Sequence, residues 1–146
     1  MIPAQVASRR IVTASAEETL AAGRALAAEL RPPMLVFLSG DLGAGKTTLA
    51  KGIIAGLGAA REEDVTSPTF SLVHEFRGGP VRVFHIDLYR IEGATDLQSL
   101  GLDDIFASPA IVFVEWSEKW SLPSDWPVLL ISLSTLPDDR HSIDIT

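Results

Sequence analysis

The sequence predicts a three-layer α/β domain with a mixed parallel and antiparallel sheet, and three observations lead there. Two continuous apolar runs, Met34 to Leu38 and Ala110 to Val114, have the composition of strands buried on both faces. Helical segments lie between such runs, so strands and helices alternate along the chain. Two β-rich runs, Thr69 to Phe76 and Val81 to Leu88, are joined by Arg77-Gly78-Gly79-Pro80. That is the form of a hairpin with a four-residue loop, and a hairpin makes the sheet mixed rather than purely parallel.

Arg10 to Ala14 reads as a short first strand. Ser15-Ala16-Glu17-Glu18 then has the form of a capping box, with Ser15 as N-cap and Glu18 reaching back. The helix it opens runs to about Leu30, with Leu20, Ala27 and Leu30 on one face, and Arg31-Pro32-Pro33 stops it. After the strand Met34 to Leu38, a loop from Gly40 to Gly45 leads into a helix that ends near Leu57-Gly58. A polar stretch follows, then the two hairpin strands, and Thr95 to Phe106 reads as a short helical region. Val128 to Leu133 and His141 to Ile145 supply further strands.

Composition bounds the class. The chain has 146 residues, 47% of them apolar, which is enough for a core and predicts one domain over residues 1–146. No run approaches the roughly 18 apolar residues that a membrane span needs. The N-terminus MIPAQVASRR lacks the order of a secretory signal, so a soluble cytoplasmic protein with no membrane association is expected. There is no cysteine, which excludes disulfides, thiolate metal sites and cysteine nucleophiles. The net charge is −7, from 12 basic and 19 acidic residues, and Arg9-Arg10 is the sole adjacent basic pair. Such a surface repels nucleic-acid phosphates, so any service to an RNA process is expected to run through a partner. Solubility alone would also account for the charge.

Four segments carry chemistry. Gly40-Asp41-Leu42-Gly43-Ala44-Gly45-Lys46-Thr47 matches G-x-x-x-x-G-K-[ST] in full, the Walker A or P-loop pattern. Small residues let the backbone curl so that successive N–H groups of Asp41 to Thr48 converge on phosphates, and the next helix adds its positive end. Lys46 would reach the β- and γ-phosphates, the Thr47 hydroxyl would sit on Mg²⁺, and Thr48 would support the α-phosphate. The competing reading is a glycine-rich turn with a surface lysine.

In the second segment, Ile111-Val112-Phe113-Val114-Glu115-Trp116, four apolar residues end in an acid. This is the form of a Walker B strand whose carboxylate faces Mg²⁺, with Glu115 a ligand directly or through water. An ordinary buried strand ending in a solvated acid has the same pattern. In the third, His85-Ile86-Asp87-Leu88-Tyr89-Arg90, His85 and Asp87 share one strand face while Ile86 and Leu88 point the other way. Asp87 could orient the attacking water, or be one more solvated strand-end acid. Arg90 could offset transition-state charge or form a surface salt bridge. The fourth, Val65-Thr66-Ser67-Pro68-Thr69-Phe70, places hydroxyls around a proline, either as a γ-phosphate sensor of the switch type or as a plain proline turn.

Taken together, GDLGAGKTTL, TSPTFSLVHEF, HIDLYRI and VEW, in that order and spacing, resemble the TsaE (YjeE) family of small bacterial ATPases. TSPTF and HxDLYR are not general features of phosphate-loop proteins, which makes the resemblance specific. It extends from the first helix through Trp116. Phe70 and Phe76 stand where tyrosines are common in the family, and Ser117-Glu118 follows the Glu-Trp pair.

The resemblance implies a phosphate-loop NTPase fold, Mg²⁺-dependent ATP binding and hydrolysis, and a role in threonylcarbamoyladenosine modification of tRNA. It also implies assembly with a TsaB–TsaD heterodimer, in which TsaD transfers the threonylcarbamoyl group and hydrolysis resets the complex. tRNA would be met only indirectly, through that complex. Lys46 and Thr47 fall in the family's phosphate loop, Glu115 matches its metal-associated acid, Asp87 its other functional carboxylate, and Thr66 to Phe70 its switch-like segment.

Other classes fit less well. A small-molecule or nucleotide kinase usually needs an arginine-rich lid, and after Arg90 the chain has only Arg140. A GTPase would need N-K-x-D, and the chain contains no asparagine. A nucleotide-gated binding module, in which ATP orders the Thr66 to Phe70 loop and docking is the output, stays open as the alternative to a reset ATPase. With no arginine finger assigned in cis, slow turnover in isolation is expected, accelerated when a partner completes the site.

Overall fold

The computed structural model describes residues 8–40, 45–65, 73–88, 101–115 and 125–146. The first strand, β1, spans Arg9–Thr13, and helix α1 spans Ala16–Ala27. Ser15 is its N-cap in extended conformation, and its Oγ accepts from the Glu18 amide at 3.1 Å. The Glu18 carboxylate reaches back to the Ala14 N–H at 3.0 Å, one residue before the cap. The capping box thus forms with its return bond displaced by one residue. The helix tightens at its end: Ala28, Glu29 and Leu30 donate to carbonyls three residues earlier, so the regular helix stops short of Leu30.

Strand β2 spans Met34–Gly40 and helix α2 spans Lys46–Gly56, followed by a single 3₁₀ turn over Glu62–Asp64. The hairpin is β3 over Val73–Phe76 and β4 over Val83–Asp87, paired antiparallel with Phe76 opposite Val83. Its loop, residues 77–82, is therefore longer than four. It is docked rather than tight: the Gly78 N–H donates to the Ala59 carbonyl at 2.8 Å, and a Cβ on Gly78 would sit 2.4 Å from that oxygen. The helical region predicted over Thr95 to Phe106 is represented by α3, Leu102–Ile105. Gly101 precedes it at φ 71°, so no unbroken helix runs through that position, and residues 95–100 lie outside the described residues. Strands β5 (Ile111–Glu115), β6 (Val128–Thr135) and β7 (His141–Ile145) complete the order.

The seven strands form one sheet in the order β1-β7-β6-β2-β5-β4-β3. Its centre, β6-β2-β5-β4, is parallel, and β1, β7 and β3 pair antiparallel at the sides. The sheet is mixed, as the hairpin predicts. One face carries α1 and α2 over Val36, Leu38, Ile111, Phe113 and Ile131, with Leu26, Leu49 and Ile53 from the helices. The other face carries α3, whose Leu102 and Ile105 pack with Leu35, Phe84, Ile86, Val112 and Val114. Helices on both faces give the three layers.

Alternation along β4 divides its side chains between the two faces. Phe84, Ile86 and Leu88 enter the α3 side, so His85 and Asp87 face the α2 side, as the period of two dictates. In β5 the same rule sends Val112 and Val114 to α3, and Ile111, Phe113 and Glu115 toward α2.

Candidate active site

The site is set by the C-terminal ends of three neighbouring parallel strands. β2 ends at Gly40, where the glycine-rich loop begins. Across the ladder Leu38 is the partner of Glu115, and Glu115 is the partner of Asp87. The strand end from which the glycine-rich loop departs and the two acids therefore lie side by side, although the hairpin and α3 separate them along the chain. Clefts beyond the carboxyl ends of parallel strands are where open α/β sheets bind their ligands.

Backbone geometry at the loop is specialised. Gly40 has φ 143°, and a Cβ there would approach the Leu133 carbonyl oxygen of β6 to 2.4 Å. No side chain fits at that point. Gly45 is the N-cap of α2 at φ 98°, a left-handed conformation that favours glycine. It lets the chain turn abruptly from loop to helix, and α2 starts on Lys46 itself. The first-turn N–H groups of an 11-residue helix thus face the loop, as phosphate binding requires. Asp41, Leu42, Gly43 and Ala44 lie outside the described residues.

Lys46 is 7% exposed, and its Nζ donates to the Gly40 carbonyl at 2.7 Å, spanning the loop from end to start. A buried ammonium needs partners, and that carbonyl is one. Thr47 and Thr48 follow in the first turn, both partly buried. Thr19 of α1 and Leu133 of β6 come within 4 Å of where a Gly45 Cβ would stand, so both border the loop. The Thr19 hydroxyl is itself buried and paired with that of Thr13 at 2.7 Å.

Glu115 is the last residue of β5 and 4% exposed. Its Oε2 lies 2.6 Å from His85 Nε2. His85 is fully buried, its ring edge-on to Phe113 at a centroid separation of 6.5 Å. Asp87 is partly buried at the end of β4. The sequence pattern places Asp87 and His85 on one face but gives no sign that His85 meets Glu115, because that contact depends on the pairing of β4 with β5. A histidine at an inward position between Phe84 and Ile86 is the one signal that could have drawn attention to it. Thr66 to Phe70, Tyr89-Arg90 and Trp116 lie outside the described residues. Arg140, the last arginine of the chain, is engaged with Asp138 at 2.6 Å in the exposed β6–β7 turn.

The donors at this edge suit a hard divalent cation. Carboxylate and hydroxyl oxygens are the ligands Mg²⁺ prefers, and it usually takes one or two carboxylates while phosphates and waters supply the rest. Among the described residues no cluster of three or more His, Asp or Glu could hold a metal without such help. Glu115, Asp87 and Thr47 are of the types that fit such a cation when its remaining ligands come from elsewhere.

The family model described as "Threonylcarbamoyl adenosine biosynthesis protein TsaE" matches residues 13–143. The chain belongs to the TsaE family. A family relative from Bacillus subtilis is 38% identical over 136 residues, which is 92% of this chain and 82% of the relative. One from Rickettsia bellii is 34% identical and covers 97% of both chains. Both are named tRNA threonylcarbamoyladenosine biosynthesis protein TsaE. The crystal structure of Bacillus subtilis YdiB superposes with a TM-score of 0.72 at 32% identity, covering 97% of this chain and 86% of that one. The TsaE match spans all three strands that bring the loop and the acids together.

Proposed function

We propose that this protein is a Mg²⁺-dependent ATPase that serves threonylcarbamoyladenosine modification of tRNA together with TsaB and TsaD homologues. The observation that carries the reading is the register Leu38–Glu115–Asp87, which sets two acids beside the Walker A loop in a chain of the TsaE family. A phosphate loop alone would support binding; the adjacent acids support hydrolysis.

The reaction is transfer of the γ-phosphoryl group of ATP to water. The loop amides from Asp41 to Thr48 and the start of α2 hold the phosphates, and Lys46 exchanges contact with Gly40 for the β- and γ-oxygens. Thr47 and Glu115 would hold the cation, which would supply charge neutralisation to the transferring phosphoryl group. Asp87 orients the attacking water and accepts its proton. Preorganised donors aimed at the developing charge supply most of the acceleration in such sites.

The surface supports an indirect relation to tRNA. Arg9, Arg10, Arg24, Arg61, Arg77 and Arg140 each pair with a carboxylate, which leaves them poorly placed to track a phosphate backbone. No helix among the described residues is long and apolar enough to cross a membrane. The deciding experiment measures ATP hydrolysis by the chain alone and with its TsaB–TsaD partners, with and without tRNA. Slow turnover alone and a large rise with partners is the expected result. Equal rates in isolation and in the complex would overturn partner dependence, and no hydrolysis under either condition would leave only a binding module.

A further inference from the structure

We propose that His85 is a positioning residue for Glu115, holding one carboxylate oxygen so that the other is presented to the nucleotide-bound cation. The inference rests on the reading of Glu115 as the metal-holding acid and deepens it.

Three observations support it. First, the contact is short and buried: His85 Nε2 and Glu115 Oε2 are 2.6 Å apart, with side-chain exposures of 0% and 5%. A carboxylate that holds a cation acts as its anion, and an anionic oxygen only accepts, so Nε2 is the donor. Among the described residues Oε1 has no hydrogen-bond partner, and it is the oxygen left for the cation or one of its waters.

Second, among the described residues His85 makes no hydrogen bond other than the one to Glu115. Among the described residues its Nδ1 is buried without a partner, a cost that a fully satisfied group would not carry. On the α2 face Phe113 across the β5 ladder and Val83 along its own strand are apolar, while His74 across the β3 ladder and Asp87 along β4 are polar; the hydrogen bond of His85 goes to Glu115. An apolar residue would fill that position at lower cost, so the Glu115 bond is what the histidine supplies.

Third, the geometry is rigid. His85 sits at the middle of β4 and Glu115 at the end of β5, adjacent strands paired along their whole length, and the Phe113 ring packs edge-on against the imidazole. The donor is thereby held on a fixed scaffold. Hydrogen bonds that orient a ligating carboxylate are worth roughly 10–100-fold in metal affinity or activity. A free Glu115 side chain would have to be ordered each time a nucleotide bound.

The test uses the full chain with His85→Ala and His85→Gln. Glutamine carries an amide N–H at about the reach of Nε2 and keeps the donor without the ring. Mn²⁺ stands in for Mg²⁺, since the same oxygen donors take both, and its binding in the presence of ADP is read by electron paramagnetic resonance. ADP affinity in EDTA is measured beside it by calorimetry. His85→Ala should weaken Mn²⁺ about 10-fold and raise the Mg²⁺ midpoint for hydrolysis in step, while ADP affinity in EDTA stays unchanged; His85→Gln should recover most of the loss.

A folded His85→Ala variant with wild-type Mn²⁺ affinity overturns the proposal, as does a folded His85→Gln variant with weakened Mn²⁺. If His85→Ala does not fold, His85→Gln decides alone by the same criterion. Glu115→Gln, measured in parallel, keeps the two readings apart: wild-type Mn²⁺ affinity in that variant removes Glu115 from the metal site. A loss there with none in the His85 variants removes only His85.

Discussion

Asp87 and Glu115 are lateral partners in the parallel ladder between β4 and β5 and face the same side of the sheet. Adjacent strands lie about 4.8 Å apart, so the two acids leave the sheet next to each other, with Glu115 on the strand beside the one that ends at Gly40. That proximity leads us to expect that they act as a unit rather than as two independent acids.

Asp87→Asn should lower ATP turnover by roughly 100-fold or more while nucleotide binding survives, since a positioned base contributes at least that much. Glu115→Gln should lower turnover and also raise the Mg²⁺ requirement. In the double variant the loss should fall well short of the product of the single losses, because groups that act together are not additive. Phosphate release from single-turnover reactions checks this. A multiplicative loss would mean that the two acids act separately.

Lys46 gives a prediction about binding. Its buried ammonium contacts the Gly40 carbonyl, a contact that the proposed reaction would have it trade for phosphate. A charge-assisted hydrogen bond is worth about 1.5–3 kcal/mol, so Lys46→Ala should weaken ATP binding by roughly 10- to 100-fold. Calorimetric titration with ATP and Mg²⁺ measures it, and unchanged affinity would contradict the assignment.

A third prediction sets helix propensity against packing. Gly52 lies inside α2, where alanine normally gains about 1 kcal/mol. A Cβ there would stand 2.4 Å from the Leu20 carbonyl oxygen and 3.2 Å from the Gly23 Cα of α1. Overpacking of this kind costs about 1–3 kcal/mol, so Gly52→Ala should lower stability despite its better propensity. Urea denaturation reads the sign directly, and a gain in stability would show that the helices can part without cost.

The displaced capping box yields a fourth. Ser15→Ala should destabilise the fold by about 1 kcal/mol, the usual worth of an N-cap. Glu18→Ala removes the return bond to Ala14. If the two bonds act together, the double variant should lose less than the sum of the singles, which thermal denaturation of all three can measure.

Much of this was legible in the residues. The capping pattern at Ser15, the apolar run into Gly40 and the acid closing β5 all depend on neighbours a few positions away, and each formed near its expected bounds. The alternation along β4 placed His85 and Asp87 on one face for the same reason. Three features were not legible. The β3–β4 loop is lengthened because Gly78 and Gly79 press on the carbonyls that follow α2. The helix predicted over Thr95 to Phe106 does not pass unbroken through Gly101. The hydrogen bond from His85 to Glu115 joins strands whose adjacency no local pattern specifies.

By itself, then, the sequence determined that a Walker A pattern follows an apolar strand, which strand faces are apolar, and which acids stand at strand ends. Only the tertiary structure decided that β2, β5 and β4 lie in that lateral order, and so that Glu115 stands beside both Asp87 and His85. The physical reason lies in range. A residue's orientation follows from backbone period and the side chains within a turn or two. Strand order follows from the burial of two whole sheet faces under α1 and α2 on one side and α3 on the other, a sum over the chain that no single stretch contains.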